Sequence, residues 1–166
     1  MEELENTGGI VEHDATLIPL IVHGVLVDPN TDTQIVILRD ETNTEVLPIW
    51  VGATEGTSIR LALEGIIPPR PMSHDLITSF MDHLGTTVKQ VVVTDVKNNT
   101  YYATIHLSVN GMERTVDARP SDAIALALRA KIPVCVTQEI LKQRGDENRE
   151  AWLAKLEPKQ FGQSEA

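Results

Sequence analysis

The chain contains the segment Ser58-Ile-Arg-Leu-Ala-Leu-Glu-Gly-Ile-Ile-Pro-Pro69, and 65 residues later it repeats the pattern as Ala123-Ile-Ala-Leu-Ala-Leu-Arg-Ala-Lys-Ile-Pro-Val134. Six of the twelve aligned pairs are identical, and all six are apolar or helix-ending positions. Positions of this kind are the ones that packing constrains. The repeat therefore predicts two copies of one structural unit within the chain.

Strand-like runs precede both copies of this segment. They lie at residues 17–27, 33–38 and 45–51 in the first copy, and at residues 88–96, 101–109 and 113–118 in the second. Turn residues separate the runs, and Asn110-Gly111 is a strong hairpin signal. We predict an α+β fold of two βββα repeats related by a pseudo-two-fold axis.

Both repeated helices have predictable ends. The first is predicted at residues 55–64, with Thr54 as the N-cap and Gly65 just past its end. The second opens at Arg119-Pro120-Ser121-Asp122 and runs to about Lys131, since proline suits the first helical turn and Ser or Asp suits the cap. Its residues are apolar on almost all sides, which predicts a central, buried helix.

Further helices are predicted outside the repeats. The apolar residues of 73–84 fall on one helical face and Gly85 follows them, which predicts a helix connecting the two units. Short C-terminal helices are predicted at 137–141 and 148–156.

Length and composition fit one compact domain. The chain has 166 residues, of which 42% are hydrophobic and 23% are charged, so it can bury a full-sized core. We predict a flexible acidic tail at 1–15, one domain at 16–141, and a C-terminal extension, helical and then frayed, at 142–166.

Several features favour a cytoplasmic protein. The N-terminus, Met1-Glu-Glu-Leu-Glu5, is acidic where a secretory signal would be basic and then apolar, and no apolar run approaches about eighteen residues. The single cysteine, Cys135, lies in an apolar run and is predicted to be a buried small hydrophobe.

The net charge of −10 argues against a global electrostatic grip on nucleic acid, because non-specific binding depends on Lys and Arg neutralising phosphates. A local basic patch, or a divalent cation that bridges acidic residues to phosphate, stays open. Exposed strand edges in each unit favour a homo-oligomer, and a homodimer first.

The most densely charged segment is Asp117-Ala-Arg-Pro-Ser-Asp122, at the start of the second repeated helix. Its two carboxylates could hold Mg²⁺ or Mn²⁺ for attack of water on a phosphodiester, while Arg119 and Ser121 bind phosphate. The alternative is structural: an ion pair between Arg119 and Asp117, with ordinary capping by Ser121 and Asp122.

Two further segments carry candidate residues. The loop Pro68-Pro-Arg-Pro-Met-Ser-His-Asp75 places Arg70, a possible phosphate ligand, close to His74, a possible general acid or base. Alternatively, its prolines stiffen a connection, Ser73 caps a helix and Asp75 complements the helix dipole. Glu55 occupies the equivalent helix start in the first unit, where it either faces the second cluster or answers the dipole.

Four strings of residues resemble the bifunctional nuclease family. They are Leu47-Pro-Ile-Trp-Val-Gly52, Ala62-Leu-Glu-Gly65, Pro68-Pro-Arg-Pro-Met-Ser-His-Asp75 and, above all, Asp117-Ala-Arg-Pro-Ser-Asp-Ala-Ile-Ala-Leu-Ala127. The resemblance spans about residues 15–140. It implies a small intracellular domain of bacteria and plants with DNase and RNase activity, and hence DNA and RNA as substrates. A helical protein-interaction motif that follows the domain in some family members is not matched by residues 142–166.

Two functional hypotheses follow. The first is a nuclease, assisted by Mg²⁺ or Mn²⁺, that hydrolyses phosphodiester bonds in DNA and RNA. Its catalytic residues would be His74, Asp117 and Asp122; its metal ligands Asp117, Asp122 and Glu55; and its phosphate ligands Arg70, Arg119 and Ser121. The second is a non-catalytic ligand-binding or assembly module whose charged clusters are structural.

Overall fold

The structure is a computed structural model that describes residues 16–42, 44–98 and 100–146. These residues form one mixed sheet of seven strands together with four helices, and none of those helices is long and apolar enough to cross a membrane. The elements in chain order are β1 (Leu17–Val27), β2 (Gln34–Arg39), β3 (Val46–Val51), α1 (Ala53–Glu64), α2 (Ser73–His83), β4 (Thr86–Lys97), β5 (Thr100–Val109), β6 (Met112–Ala118), α3 (Pro120–Ala130), β7 (Val134–Thr137) and α4 (Gln138–Asp146). The tail predicted at 1–15 and the helix predicted at 148–156 lie outside the described residues.

The strand order places one three-stranded unit on each side of β7. That order is β3-β2-β1-β7-β4-β5-β6. Because β1 pairs antiparallel with β7 and β4 pairs parallel with it, β1 and β4 run in opposite directions, as a two-fold axis perpendicular to the sheet at β7 requires. The repeated helices α1 and α3 pack against each other, and α2 connects the units. The predicted α+β fold of two βββα repeats is confirmed.

The main core joins the sheet to both repeated helices. Helix α1 packs on β1 and β2, and α3 packs on β4 and β5. Ile59 of α1 and Ile124 of α3 are aligned positions of the repeat, and both are fully buried. Residues 123–127 of α3 are all buried, as predicted for a central helix. Gly56 lets α1 approach the sheet closely, since a Cβ there would overlap the side chain of Gln34.

The strand β7 is not predicted by the sequence pattern. It has only four residues, directly after Pro133, and its partners β1 and β4 lie far away along the chain. Long-range pairing, rather than local pattern, therefore makes it a strand. Cys135 lies in β7 and is 8% exposed, which confirms its predicted burial. The helix that follows is α4, which extends to Asp146 and is longer than the predicted 137–141.

The predicted side-chain caps of the repeated helices are wrong, although the predicted helices are right. Helix α1 begins before Thr54, with Gly52 at the N-cap position, and Gly65 ends it in a left-handed conformation (φ 68°), as predicted. Helix α3 begins at Pro120 with Arg119 at the N-cap, so the two polar residues that follow lie inside the helix. Neither N-cap makes a side-chain capping hydrogen bond. The charged side chains near these helix starts are therefore available for longer-range contacts.

Apolar side chains are exposed on one face of α2 and at the residue that follows it. Leu76, Ile77, Phe80 and Leu84 are between 41% and 64% exposed. The opposite face of the helix carries His74, which is 7% exposed. The edge strands of the sheet are β3 and β6, and Pro48 lies in β3, since an edge strand tolerates proline better than a central one.

The repeat predicts matched stability effects at its aligned core positions. We expect Ile59→Ala and Ile124→Ala each to lower the free energy of unfolding by about 3 kcal/mol, because each leaves a cavity in the shared core. Ile67→Ala is the control, since Ile67 is 91% exposed and its loss should change stability by less than about 0.5 kcal/mol. Urea unfolding measures all three, and a small effect at only one of the two core positions would contradict an equivalent role for the units.

Candidate functional site

A cavity of about 620 Å³ lies where α1 and α3 begin. It is bounded by the end of β3, the start of α1, the start of β5 and the start of α3. Both repeats therefore contribute to one site, as expected for a cleft between two units. Its lining residues are Ile49, Trp50, Val51, Gly52, Glu55, Thr100, Tyr101, Arg119, Pro120 and Ser121.

Arg119 lies between two carboxylates at this cavity. Its Nε donates to Asp122 Oδ2 at 2.9 Å and its Nη2 to Asp122 Oδ1 at 3.2 Å, while Nη2 also lies 3.2 Å from Glu55 Oε1. The hydrogen bonds with Asp122, together with both negative charges, raise the pKa of Arg119 above its usual value. The side chain is nevertheless 65% exposed, and no residue within the described ranges bonds its Nη1. One edge of a fixed guanidinium therefore faces the solvent.

Glu55 reaches Arg119 because the residue at the start of its helix is glycine. A Cβ at Gly52 would overlap the Glu55 carboxylate. The Glu55 side chain is 22% exposed, so its carboxylate is partly shielded from water at the cavity wall. The absence of a side chain at Gly52 thus provides the space for this carboxylate.

Behind Asp122 lies a buried serine–histidine pair. His74 Nε2 is 2.8 Å from Asp122 Oδ1, and His74 Nδ1 is 2.6 Å from Ser58 Oγ. Arg129 Nη2 donates to the same Ser58 oxygen at 3.1 Å, which leaves the hydroxyl proton for Nδ1. The ring proton then lies on Nε2 and is donated to Asp122. Ser58 is 2% and His74 7% exposed, so this hydrogen-bonded pair is enclosed by the three helices α1, α2 and α3.

Arg129 extends the same network to α2. Its Nε donates to Asp75 Oδ1 at 2.8 Å, and its Nη1 donates to the Ala125 carbonyl at 3.0 Å. Asp75 in turn accepts the backbone N–H of Met72 at 3.0 Å. The side chain of Arg129 is only 11% exposed, so its charge depends on the Asp75 carboxylate.

Opposing effects act on the pKa of Asp122 and of Asp75. Burial raises the pKa of the Asp122 carboxyl, but hydrogen bonds from Arg119 and His74 lower it further than burial raises it. At Asp75 burial again raises the pKa of the carboxyl. Hydrogen bonds from Arg129 and from the Met72 backbone N–H lower it by more, so the net shift is downward. Both carboxyls are therefore held ionised, with a pKa below the usual value for aspartate.

The structure brings some of the predicted site residues together and separates others. Glu55, Arg119 and Ser121 line the cavity, and Asp122 and His74 lie directly behind them. Asp117 lies in β6 opposite Thr104 of β5, is exposed, and is not among the lining residues. Arg70 is also exposed and outside the lining, in the loop before α2.

The alternative ion pair between Arg119 and Asp117 is not the one formed, since Arg119 contacts Glu55 and Asp122 instead. Within residues 16–42, 44–98 and 100–146, no group of three or more His, Cys, Asp or Glu side chains is arranged to hold a metal ion. The two carboxylates that do meet, Glu55 and Asp122, meet on Arg119. As arranged, this donor set does not fit a divalent cation.

Sequence reasoning missed Ser58, Arg129 and Trp50 as members of the site. The repeat carries a signal for Ser58, because the aligned residue of the second unit is Ala123, and a serine in place of an apolar residue at a core position needs a partner. Arg129 aligns with Glu64 in the same way, and this exchange of charge at one repeat position also marks a unit-specific contact. Trp50 lies within a string that resembles the family.

Comparison with protein-family models finds the bifunctional nuclease domain over residues 36–149. The chain belongs to the bifunctional nuclease domain family. The matched range contains Trp50, Glu55, Ser58, His74 and the start of α3, so all the site residues described above lie inside the family domain.

The relatives of the chain include an uncharacterized bacterial protein and plant proteins named bifunctional nucleases. An uncharacterized protein of Mycobacterium tuberculosis is 37% identical over 124 residues, which cover 75% of this chain and 74% of that protein. Bifunctional nuclease 1 of Oryza sativa subsp. indica is 31% identical over 114 residues, or 67% of this chain and 34% of that protein. Bifunctional nuclease 2 of Arabidopsis thaliana is 30% identical over 114 residues, or 66% and 35%. The chain thus spans about a third of the plant relatives' length.

The buried ion pair predicts a specific stability defect. We expect Asp75→Asn to lower the free energy of unfolding by about 3 kcal/mol at pH 7, because it leaves the Arg129 charge buried without a counter-ion. Asp95→Asn is the control, since its pair with Lys97 is solvent-exposed and should contribute less than about 0.5 kcal/mol.

Acid should lower the stability of the folded protein through Asp75. Because folding lowers the pKa of Asp75 below 3.8, its contribution is present above that value and is lost as the pH falls through the folded-state pKa. The wild type should therefore lose stability below about pH 4, and Asp75→Asn should lose less over the same range. Urea unfolding at several pH values measures the stability of both proteins. An equal loss of unfolding free energy in the wild type and in Asp75→Asn would contradict this assignment.

Proposed function

We propose that the protein is a nuclease that hydrolyses phosphodiester bonds of DNA and RNA at the cavity between α1 and α3. The observation that carries the proposal is the exposed Nη1 edge of Arg119, whose other nitrogens are fixed by Glu55 and Asp122. A guanidinium held in this way can bind a phosphate without rearrangement and can stabilise charge that develops on it. Family membership and the names of the plant relatives support the same activity.

The carboxylates beside Arg119 supply the groups for proton transfer. Asp122 and Glu55 both lie within hydrogen-bond distance of the guanidinium, so a phosphate on Arg119 would lie close to both. A water molecule that attacks the phosphorus must lose a proton, and a carboxylate at this position can accept it. His74 is enclosed and reaches the cavity only through Asp122, so we assign it the role of positioning Asp122.

Metal assistance stays a prediction from the sequence. Of the three carboxylates assigned to the metal, Glu55 and Asp122 are both bonded to Arg119, and Asp117 lies outside the cavity lining. Cleavage assays in Mg²⁺, in Mn²⁺ and in EDTA test this prediction: loss of cleavage in EDTA would support a required cation, whereas persistence would leave Arg119 as the principal positive charge at the phosphate.

One observation favours the second hypothesis, a non-catalytic module. Every charged side chain of the network from Glu55 to Asp75 has a protein partner, and three helices meet there. Such a network can be maintained for stability alone. The two hypotheses differ in whether substitutions at Arg119 affect activity, stability or both.

The nuclease proposal predicts that Arg119→Ala lowers kcat/KM about 100-fold on labelled single-stranded or duplex DNA and RNA, because it removes the phosphate ligand. Arg119→Lys should recover only part of the activity, since lysine lacks the planar fork. Arg114→Ala is the control, because Arg114 is an exposed arginine of β6 outside the cavity lining. The folded state should survive in all three proteins, as the Arg119 side chain is largely exposed.

Asp122→Asn separates the hypotheses further. A nuclease should lose cleavage and keep a cooperative unfolding transition, whereas a structural module should lose the transition itself. Equal cleavage by the wild type and by every variant would identify a contaminating nuclease.

We also propose that the protein forms a homodimer through the outer face of α2, where Leu76, Ile77, Phe80 and Leu84 are exposed. Exposed apolar residues grouped on one helix face are typical of protein–protein contacts. The predicted contact through strand edges is the alternative, and β6 carries the exposed Val116.

Light scattering after size-exclusion chromatography tests the dimer. The monomer mass is 18.3 kDa, and we expect about twice that value for the wild type. Phe80→Asp should yield monomers, because it places a charge in the contact. Val116→Asp, the matched change on the sheet edge, should leave the dimer intact; the opposite pattern would assign the contact to β6.

A further inference from the structure

Trp50 is an exposed aromatic side chain at the same cavity as Arg119. It is 44% exposed, whereas its strand neighbours Ile49 and Val51 are 2% and 7% exposed. Successive side chains of β3 point to opposite faces of the sheet, so Trp50 does not share the core face of Ile49 and Val51. Trp50 pairs with Ile35 of β2, which is 4% exposed, and it also lines the cavity. Trp50 and Arg119 thus line the same cavity.

The cavity has the dimensions of a small-ligand site. Its volume of about 620 Å³ lies within the usual range for pockets that enclose one small molecule. A mononucleotide is a ligand of this size. A base that is paired and stacked within a duplex cannot enter such a cavity unless it first leaves the stack.

The charged side chains at the cavity can neutralise few phosphate groups. Among the described residues that line it, Glu55 and Arg119 are the only charged ones, and they have opposite sign. The whole chain has a net charge of −10. Duplex binding by a protein normally requires several Lys and Arg side chains that neutralise phosphates, and stacking of bases on aromatic side chains does not.

We propose that the cavity selects single-stranded nucleic acid by taking one unstacked nucleotide, with its base against Trp50 and its adjoining phosphate on Arg119. This inference rests on the proposed function and specifies its substrate class. The base contributes through stacking, which accepts all four bases and is therefore compatible with the proposed activity on both DNA and RNA. Because a single phosphate is neutralised, binding depends only weakly on salt.

Fluorescence of Trp50 provides the test, in a Trp152→Phe background that leaves Trp50 as the only tryptophan. The probes are thymidine monophosphate, a hexathymidylate, and a hairpin duplex, with binding followed in EDTA. We expect saturable quenching by both single-stranded probes and at least tenfold weaker binding of the duplex. The slope of log K against log salt for hexathymidylate should be about −0.7, the value for one phosphate of a single strand.

Trp50 variants identify the stacking contact. Trp50→Ala should weaken hexathymidylate binding about 10- to 100-fold, measured by competition with a fluorescein-labelled strand, and Trp50→Phe should retain most of the affinity. Tyr102→Ala is the matched control, because Tyr102 is 41% exposed and does not line the cavity. Thermal unfolding of each variant shows that affinity is compared between folded proteins.

The outcomes separate this inference from the proposed function. Equal binding of duplex and single strand, a salt slope steeper than about −3, or unchanged affinity in Trp50→Ala would overturn the inference. If such a protein still cleaved nucleic acid in an Arg119-dependent way, the proposed function would stand without it. Trp50-dependent binding of single strands without cleavage would support the inference about the ligand and contradict the nuclease.

Discussion

The buried charge of Arg129 is the constraint on which the helical half of the molecule depends. Its guanidinium bonds Asp75 of α2, Ser58 of α1 and the Ala125 carbonyl of its own helix, so one side chain fixes three helices. From Ser58 the hydrogen bonds continue through His74 to Asp122. A charge that is costly to leave unpaired thus determines the position of a carboxylate at the cavity.

The electrostatics of the site follow from this arrangement. Asp122 is held ionised between a buried imidazole on one side and Arg119 on the other. Arg119 therefore keeps its side chain in place although most of it is exposed, and only one edge stays available to a ligand. On a chain with a net charge of −10, a local and pre-positioned cation is the physically consistent way to bind a phosphate, since a broad basic surface is not available.

The features that the sequence predicts well depend on local pattern. Strand alternation and helical periodicity determine β1 to β6, α1, α2 and α3 within a few residues, and the repeat predicts their two-fold arrangement. Strand β7 depends instead on one partner strand from each unit, β1 and β4, which no local window contains. Asp117 shows the same limit within the site. It lies opposite Thr104, whose neighbours along β5, Ala103 and Ile105, are buried. The side chains of Thr104 and Asp117 therefore point away from the core face.

Only part of the charged cluster between the helices can be predicted from the sequence. Glu55, Arg119 and Asp122 lie at helix starts that the repeat places together, so their proximity follows from symmetry. Ser58 and Arg129 meet across 71 residues, and their contact follows from side-chain chemistry that symmetry does not describe.

The two units share one backbone fold but contribute different side chains to the site. The first supplies Glu55 and Ser58, and the second supplies Arg119 and Asp122, while the aligned position of Ser58 is Ala123. Gly52, which makes room for the Glu55 carboxylate, aligns with Asp117. A site that needs one cation fixed by carboxylates of both units cannot be assembled from either unit alone. The aligned Ile59 and Ile124 stay identical and fully buried, whereas the residues that form the charged cluster differ between the two units.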